Sequence, residues 1–392
     1  MRNPLKLVLG YLIATFAMLL SLQASAQERI RIGFIAPMSG VFATYGQSFH
    51  NAMQAYIQNH GDTVAGKKIE IIVRDNTTNT PENAKRLATE LVGREKVDFL
   101  TGFGLTPDAL AVVPISTQGK VPTIIMLAGT YGLTLKSPYM ARISFTLTQV
   151  TVPMAQWALK NKIKKVYTVV SDFAPGIDSE EAFKKAFTAG GGEIIGSVRA
   201  PLANTDYSAF VQRIKDANPD SVFLFMPPGE PTTQFMKSYV ERGLHKAGMR
   251  VMTTMDIAEE FIQPMGDAAL NIVNSVNYYE SMKNEENTRF LNAYRKISNG
   301  KYPGAIALGG YDGMATIYEV TRKLNGKVDD GAAVMEALKG MKLKSPRGEF
   351  TIDAETRDVV QHVHIAKIEK QGGRLVPVII DTFQNVKDTP PR

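Results

Sequence analysis

Short apolar runs alternate with amphipathic segments along most of the chain. The run at 30–35 is followed by five apolar residues spaced as one face of a helix: Phe49, Ala52, Met53, Tyr56 and Ile57. Further apolar runs at 69–73, 97–100 and 121–127 enclose the same helical spacing at 84–92. Short strands rich in Val, Ile and Phe, separated by helices, are typical of a parallel sheet covered on both faces.

The alternation begins again after about residue 145. Strands are predicted at 166–170, 193–198, 221–226 and 250–255, and helices near 176–190, 206–217 and 231–243. Helical patterns at 287–299, 309–325 and 330–340 then precede strand-like runs at 348–352 and 363–369. This order predicts an α/β fold with two Rossmann-like lobes, parallel-type central sheets and three hinge crossings near 145, 275 and 355. We assign 27–145 and 276–355 to lobe 1, 146–275 and 356–386 to lobe 2, and 387–392 to a disordered tail.

The N-terminus has the pattern of a secretory signal peptide. Arg2 and Lys6 precede an almost wholly apolar stretch at 7–22, and Ala24-Ser25-Ala26 follows as a small-residue cleavage site. The apolar stretch is short for a membrane span of roughly 20 residues. We therefore expect residues 1–26 to be removed and the mature protein to be free in a bacterial periplasm.

Composition excludes several classes of function. The chain has no cysteine, which rules out disulfides and thiolate metal sites. Its net charge of +7 falls to +5 without Arg2 and Lys6, and no basic stripe suited to nucleic acid is present. The sequence contains neither GxSxG nor HExxH, and the GxxxxGK match at 61–67 has lysine where a phosphate loop needs Ser or Thr. His362 and His364 share a strand face without carboxylate company, so we interpret them as a surface or edge pair. No catalytic residue, metal or cofactor is expected.

Candidate binding residues lie where predicted strands give way to helices. Leu105 and Thr106, followed by Pro107 and Asp108, place a polar residue and a proline at the start of a helix, whose free N–H groups suit a carboxylate. In open parallel sheets these junctions form the ligand-binding edge. Small residues at 128–130 end another strand at that edge. The loop "PMSGVFATYG" after the first strand carries two aromatic residues, Phe42 and Tyr45, which a ligand could cover.

The sequence resembles the periplasmic leucine/isoleucine/valine-type solute-binding proteins of ABC importers over essentially the whole mature chain. The resemblance rests on "IRIGFIAPMSGVFATYGQSFHNAMQAYI", "VRDNTTNTPENAKRLATELV", "VPTIIMLAGT", "ALGGYDGMATIYEV" and "SPRGEFTIDAETRDVVQHVHIAKI", in that order. It implies the type I periplasmic binding fold, in which two lobes close over a small ligand.

The resemblance also implies residue roles. Tyr45 and Phe42 would contact the ligand, Leu105 and Thr106 would bind its carboxylate, and Ala128 and Thr130 would offer a carbonyl and a hydroxyl. Lobe 2 would contribute Phe173 and the loop containing Gly229. Amino-acid binders hold the α-ammonium with an acidic residue after a second-lobe strand, and Asp256 is the acidic residue nearest to that place. If Asp256 does not reach the pocket, the ligand is a carboxylate without an ammonium, such as an aromatic acid.

The sequence thus predicts a non-enzymatic, exported substrate-binding protein. Its ligand would be a branched-chain or hydrophobic amino acid or an aromatic acid, its partner an ABC permease of the inner membrane, and its state a monomer. Two alternatives remain open. One is a sensor subunit of the same fold, and the other is a secreted α/β hydrolase.

Overall fold

The computed structural model describes residues 28–77, 80–201, 206–254 and 256–388. The predicted signal peptide lies outside the described residues. The first sheet has six strands in the order β2-β3-β1-β4-β5-β6. All neighbours are parallel except β2 and β3, and Ile32 of β1 lies between Ile71 of β3 and Phe99 of β4. The strands are β1 (Arg29–Ala36), β2 (Thr63–Val64), β3 (Lys67–Asp75), β4 (Phe99–Gly102), β5 (Thr123–Ile125) and β6 (Met140–Arg142).

The second sheet is mixed. Strands β7 to β11 are mutually parallel in the order β11-β10-β9-β7-β8, and β14 joins β11 antiparallel. β13 and β15 also pair with β14, and β12 pairs with β13. The strands are β7 (Lys165–Ser171), β8 (Glu193–Ala200), β9 (Ser221–Phe225), β10 (Arg250–Thr253), β11 (Val273–Val276), β12 (Lys342–Leu343), β13 (Phe350–Ile352), β14 (Val359–Gln371) and β15 (Arg374–Val386).

Helices connect the strands in the pattern that parallel pairing requires. They are α1 (Ala43–His60), α2 (Pro81–Glu90), α3 (Thr106–Gly119), α4 (Leu147–Lys160), α5 (Ala174–Ala189), α6 (Ser208–Ala217), α7 (Glu230–Glu241), α8 (Glu259–Ile262), α9 (Glu285–Ile297), α10 (Ala305–Lys323) and α11 (Gly331–Leu338). A π-helical turn (Leu91–Glu95) follows α2, and 3-10 turns span Thr134–Lys136 and Gln263–Ala269. α1 packs on α10 at two glycines, Gly309 and Gly310, where a Cβ atom would meet the side chain or backbone of Phe49.

Each sheet has its own apolar core, and the chain passes between the two halves three times. The first crossing is 143–146, between β6 and α4. The second begins at 277 after β11, and the third is 353–358, between β13 and β14. We call the half built on the first sheet lobe 1 and the other half lobe 2. β12 and β13 pair with β14 of the second sheet, but their residues Leu343, Phe350 and Ile352 pack in the core of lobe 1. The fold class predicted from the sequence is confirmed, with a second sheet that is mixed rather than purely parallel.

The segment 256–262 belongs to both cores. Ala258 and Phe261 pack into the core beside β1 and α1, whereas Ile257 and Ile262 pack into the core of the second sheet. This segment therefore contributes buried side chains to both lobes.

Two details correct the sequence prediction. The C-terminal tail was predicted to be disordered from residue 387, but Lys387 forms an ion pair with Asp353 at 2.7 Å and Asp388 is buried beside Thr146. These contacts explain why the chain stays packed to Asp388, and residues 389–392 lie outside the described residues. His364 is 5% exposed rather than superficial, because β15 covers its strand. Within the described residues, no helix is both long enough and apolar enough to span a bilayer.

Candidate ligand-binding cleft

The carboxyl ends of strands from both sheets face one cavity. It encloses about 580 Å³ including its open mouth. Lobe 1 contributes the segments after β1, β4 and β5, and lobe 2 contributes those after β7, β9 and β10. β1 and β4 in the first sheet, and β7 and β9 in the second, flank the points where strand order reverses. Such reversals leave a crevice at the carboxyl edge, so the topology itself places the cavity.

The walls of the cavity are predominantly apolar. Phe173 and Phe225 stack with ring centroids 6.3 Å apart and planes inclined by 24°. Pro227 and Pro228 follow Phe225 and add a rigid apolar surface. Three further apolar residues line the cavity: Leu127 of lobe 1, Phe145 of the first crossing and Leu147 at the start of α4. A flat apolar body would fit between these surfaces.

Thr106 brings an unpaired hydroxyl to the cavity. The residue is 1% exposed, and its Oγ1 has no hydrogen-bond partner. It opens α3, whose N-cap residue, Leu105, has no side chain able to accept from the free N–H groups. A buried polar atom without a partner is unfavourable unless a ligand satisfies it. Thr106 and the first turn of α3 therefore form a donor set suited to an anion.

Two lobe 2 helices without side-chain caps begin close to the cavity, α5 at its wall and α7 next to it. α5 starts after Phe173 and has Pro175 in its first turn, and both residues line the cavity. α7 starts after Gly229, whose φ of 127° is accessible to glycine but strained for other residues. With α3, three uncapped helix N-termini open near the cavity. Their partial positive charges favour a negatively charged ligand group.

Tyr45 lies between the cavity and the core of lobe 1. It is 4% exposed, with its ring edge-on to Phe261 at 6.4 Å and to Phe42 at 5.5 Å. Burial, and then the charge of Asp256, raise the pKa of Tyr45 far above its usual value. Tyr45 therefore stays neutral and can donate a hydrogen bond. Phe42 stands behind it and does not line the cavity.

Asp256 reaches the cavity, but its carboxylate is already engaged. Oδ1 accepts from the N–H of Ala258 at 2.9 Å, and Oδ2 accepts from the N–H of Ile306 at 2.8 Å. Ile306 lies in the first turn of α10, so Asp256 caps a helix that packs in lobe 1. Burial raises the pKa of Asp256 to about 6, against the lowering effect of these N–H groups. Asp256 is the only acidic residue that lines the cavity in the described part of the chain.

Two further candidates point elsewhere. The carbonyls of Ala128 and Thr130 accept hydrogen bonds from Nη1 of Arg142, at 2.6 and 2.9 Å. Arg142 is fully buried and forms an ion pair with Asp358. The Thr130 hydroxyl lies beside Asp178 of α5. Neither Ala128 nor Thr130 lines the cavity, because Arg142 draws their carbonyls away from it.

The structure therefore brings together five of the nine candidates, and they are Tyr45, Leu105, Thr106, Phe173 and Asp256. Phe42, Ala128, Thr130 and Gly229 lie next to the cavity without lining it. Sequence reasoning missed most of the apolar wall together with Thr254 and Ile306. Phe225 and Thr254 could have been found, since each lies at the carboxyl end of a predicted strand. The described residues contain no cluster of three His, Asp or Glu side chains that could hold a metal ion.

Comparison with known proteins agrees with this geometry. Residues 29–373 match the family described as periplasmic binding protein. Leu/Ile/Val-binding protein homolog 6 of Brucella melitensis is 41% identical over 373 residues, which cover 94% of this chain and 95% of that protein.

Solved structures show the same relationship. A solute-binding protein of an ABC transporter from Rhodopseudomonas palustris BisB5, in complex with 3,4-dihydroxybenzoic acid, is 47% identical with a TM-score of 0.87, covering 92% of this chain and 98% of that one. A second R. palustris solute-binding protein, in complex with 4-hydroxybenzoate, is 39% identical with the same TM-score and coverage. The chain belongs to the periplasmic binding protein family and is a solute-binding protein of the ABC-transporter type.

Proposed function

We propose that this protein captures an aromatic carboxylate of the hydroxybenzoate type in its cleft and presents it to an ABC permease. The observation that carries the proposal is the combination of an apolar cavity with the unpaired Thr106 hydroxyl and uncapped helix N-termini. The two R. palustris relatives described above, which were solved with hydroxylated benzoates, support the same ligand class.

The carboxylate of the ligand would lie at the N-terminus of α3. There it would accept from the Thr106 hydroxyl and from free N–H groups of the first turn. A buried carboxylate must be saturated with donors, since an unpaired buried charge is strongly unfavourable. The ring would lie against Phe173 and Phe225, where offset aromatic stacking adds to apolar burial.

Polar side chains elsewhere in the cavity can form hydrogen bonds with a hydroxyl on the ring of the ligand. Asp256 and Thr254 from lobe 2 and Tyr45 from lobe 1 line the same cavity. A phenolic O–H needs one acceptor, and a carboxylate has about four acceptor sites, of which the N–H groups of Ala258, Ile306 and Ala305 occupy three. Asp256 is therefore the proposed acceptor for a hydroxyl on the ring.

A hydrophobic amino acid is the second candidate, and the name of the Brucella relative favours it. An α-ammonium requires a negatively charged partner with free acceptors. Asp256 is poorly suited to that role because burial raises its pKa to about 6 and its carboxylate has too few free acceptor sites for the three N–H donors of an ammonium. The positive ends of α3, α5 and α7 would also oppose an ammonium group. These contacts favour the aromatic acid.

Capture would proceed by closure of the lobes. Since both lobes line the cavity, a ligand that contacts both binds the closed form better than the open form and shifts the population toward it. No chemical step is proposed. The signal-peptide pattern at 1–26 supports a periplasmic location for this cycle, and the proposed receiver is an inner-membrane permease. A sensor subunit would close in the same way, so retrieval of a receptor and no permease by the ligand-bound protein would favour that alternative.

Titration calorimetry on the purified mature protein tests the ligand class. We expect 4-hydroxybenzoate and 3,4-dihydroxybenzoate to bind, and benzoate to bind more weakly because it leaves Asp256 without a hydroxyl. 4-Hydroxybenzyl alcohol, which lacks the carboxylate, should give no heat at the same concentrations. Binding of leucine or phenylalanine in preference to every aromatic acid would show that the amino-acid assignment is right instead.

A further inference from the structure

Buried polar side chains concentrate where the chain passes between the lobes. The first crossing (143–146), the start of the second at Asn277 and the strand that follows the third crossing all contribute to one hydrogen-bonded group. Its members have at most 3% of their surface exposed, and they include Arg347, Asp312, Gln361, Gln149 and Asn277. None of them lines the ligand cavity. We call this group the hinge network.

Arg347 holds the first crossing. Its Nη1 donates to the carbonyl of Ser144 at 3.1 Å and to Oε1 of Gln361 at 2.6 Å, and its Nη2 donates to the carbonyl of Ile143 at 2.5 Å. Nη2 is also 3.1 Å from Oδ2 of Asp312, which lies on α10 in lobe 1. One guanidinium thus joins a lobe 1 helix, the first crossing and the strand after the third.

Gln361 extends the connection to the second crossing and to lobe 2. Its Nε2 donates to the Ser144 carbonyl and to Oε1 of Gln149, both at 2.7 Å. Its Oε1 accepts from Nδ2 of Asn277 at 3.0 Å, in addition to the bond from Arg347. Gln149 lies in the first turn of α4, the helix that begins lobe 2 after the first crossing. The neutral side chain of Gln361, which follows the third crossing, therefore bonds to residues of the first and the second crossing.

The network has unused hydrogen-bonding capacity. Nε of Arg347, Oδ1 of Asp312 and Oδ1 of Asn277 are buried without partners in this arrangement. Because one donor and two acceptors of the hinge network have no partner, a different arrangement of the same side chains can form a different set of hydrogen bonds. Hinge motion changes backbone torsions in connecting residues such as 143–146, and these are the residues whose carbonyls Arg347 and Gln361 hold. The observed bonds are therefore specific to one lobe arrangement.

We propose that Gln361 and Arg347 are positioning residues that hold the three crossings in the closed arrangement and so set the open–closed equilibrium. The observed arrangement is closed in the sense that lobe 2 approaches lobe 1 across the cleft, where Asp178 of α5 lies beside the Thr130 hydroxyl and the Tyr131 N–H. Buried ion pairs add little to stability on average, and fixing one conformation is a role they serve in some proteins. Loss of the network would favour the open form without touching any group that meets the ligand.

Single-molecule fluorescence tests this directly on the ligand-free protein. Because the chain has no cysteine, a dye pair can be placed through Leu135→Cys in lobe 1 and Lys237→Cys in lobe 2, both at exposed positions. In this background Gln361→Met keeps the side-chain length and removes four hydrogen bonds. Gln234→Met, at an exposed position on α7, is the matched control. We expect the share of open molecules to rise about threefold in Gln361→Met and to stay unchanged in the control.

Stopped-flow binding of 4-hydroxybenzoate supplies the second readout. The dissociation rate should rise about fivefold in Gln361→Met while the association rate stays within about twofold of the parent. If Gln361→Met does not fold, Asn277→Leu removes the single bond to the second crossing and should move both readouts in the same direction by less. An unchanged distribution of open and closed molecules in a folded variant would overturn the proposal. Failure of 4-hydroxybenzoate to bind the parent would instead contradict only the ligand assignment, since the fluorescence readout needs no ligand.

Discussion

Replacing Thr106 by valine separates the contribution of its hydroxyl to ligand binding from its contribution to folding. Valine keeps the shape of threonine and removes only the Oγ1 group, which is buried and has no hydrogen-bond partner in the structure. In the complex, the same hydroxyl would donate to a carboxylate. Hydrogen bonds to charged groups contribute about 1.5–3 kcal/mol, so we expect the dissociation constant for 4-hydroxybenzoate to rise about 10- to 150-fold.

The ligand-free protein should respond in the opposite way. Removing a buried hydroxyl that has no partner relieves a desolvation penalty, so Thr106→Val should melt at the same temperature as the parent or higher by about 2 °C. Calorimetry gives the affinity, and thermal denaturation without ligand gives the stability. Thr117→Val is the matched control, because it lies on the same helix and its hydroxyl bonds to Val113 and Ser137, away from the cavity. Unchanged affinity in Thr106→Val would refute the assigned carboxylate site.

Three further predictions concern stability. Burial raises the pKa of Asp108 to about 6, so the folded protein takes up a proton before the unfolded chain does. Asp108→Asn should therefore be more stable than the parent at pH 8 in urea denaturation, and the difference should shrink as pH falls from about 6 to about 4. Burial lowers the pKa of His364 to about 4, so as the pH falls from about 6.5 to about 4 the unfolded chain takes up a proton that the folded protein does not, and the parent loses stability. His364→Gln should lack this loss, and identical pH profiles of stability for the two proteins would contradict the prediction. Gly310→Ala would drive a Cβ into the backbone of Phe49 and should destabilise by about 1–3 kcal/mol, whereas Gly93→Ala, which meets no atom within 4 Å, should cost nothing measurable in the same assay.

Most of the parallel strands could be predicted from sequence because they are apolar on both faces, as is typical of strands covered by helices. Five strands were not predicted, namely β2, β6, β11, β12 and β15, and the structure shows a physical reason for two of them. β11 contains Asn274 and Ser275, which read as loop residues but are buried and bond to the carbonyls of Thr253 and Val150. Pro377 and Asp381 interrupt the apolar pattern of β15, although both residues pair within the strand. β15 pairs antiparallel with β14 at a sheet edge, and no local sequence pattern predicts that pairing.

The candidate site was predictable to the extent that it lies at strand ends. Thr106 and Tyr45 follow strands that the apolar pattern marks, so their place at the ligand edge follows from topology. Ile306 and Phe145 could not be found in this way, because they reach the cavity from the N-terminus of α10 and from the first crossing. The Ala128 carbonyl lies off the cavity for a related reason. The pairing of Arg142 with Asp358, which orients that carbonyl, joins residues far apart in sequence.

The segment 256–262 couples the unfolding of the two lobes. Phe261 is buried in one core and Ile262, its neighbour, is buried in the other. A denaturing transition confined to either lobe would pull one of these side chains into water, and exposing a side chain of that size costs about 1.5–3 kcal/mol. The lobes therefore share a penalty for separate melting, and we expect one cooperative calorimetric peak rather than two. A fragment cut at this segment should not fold as an independent unit.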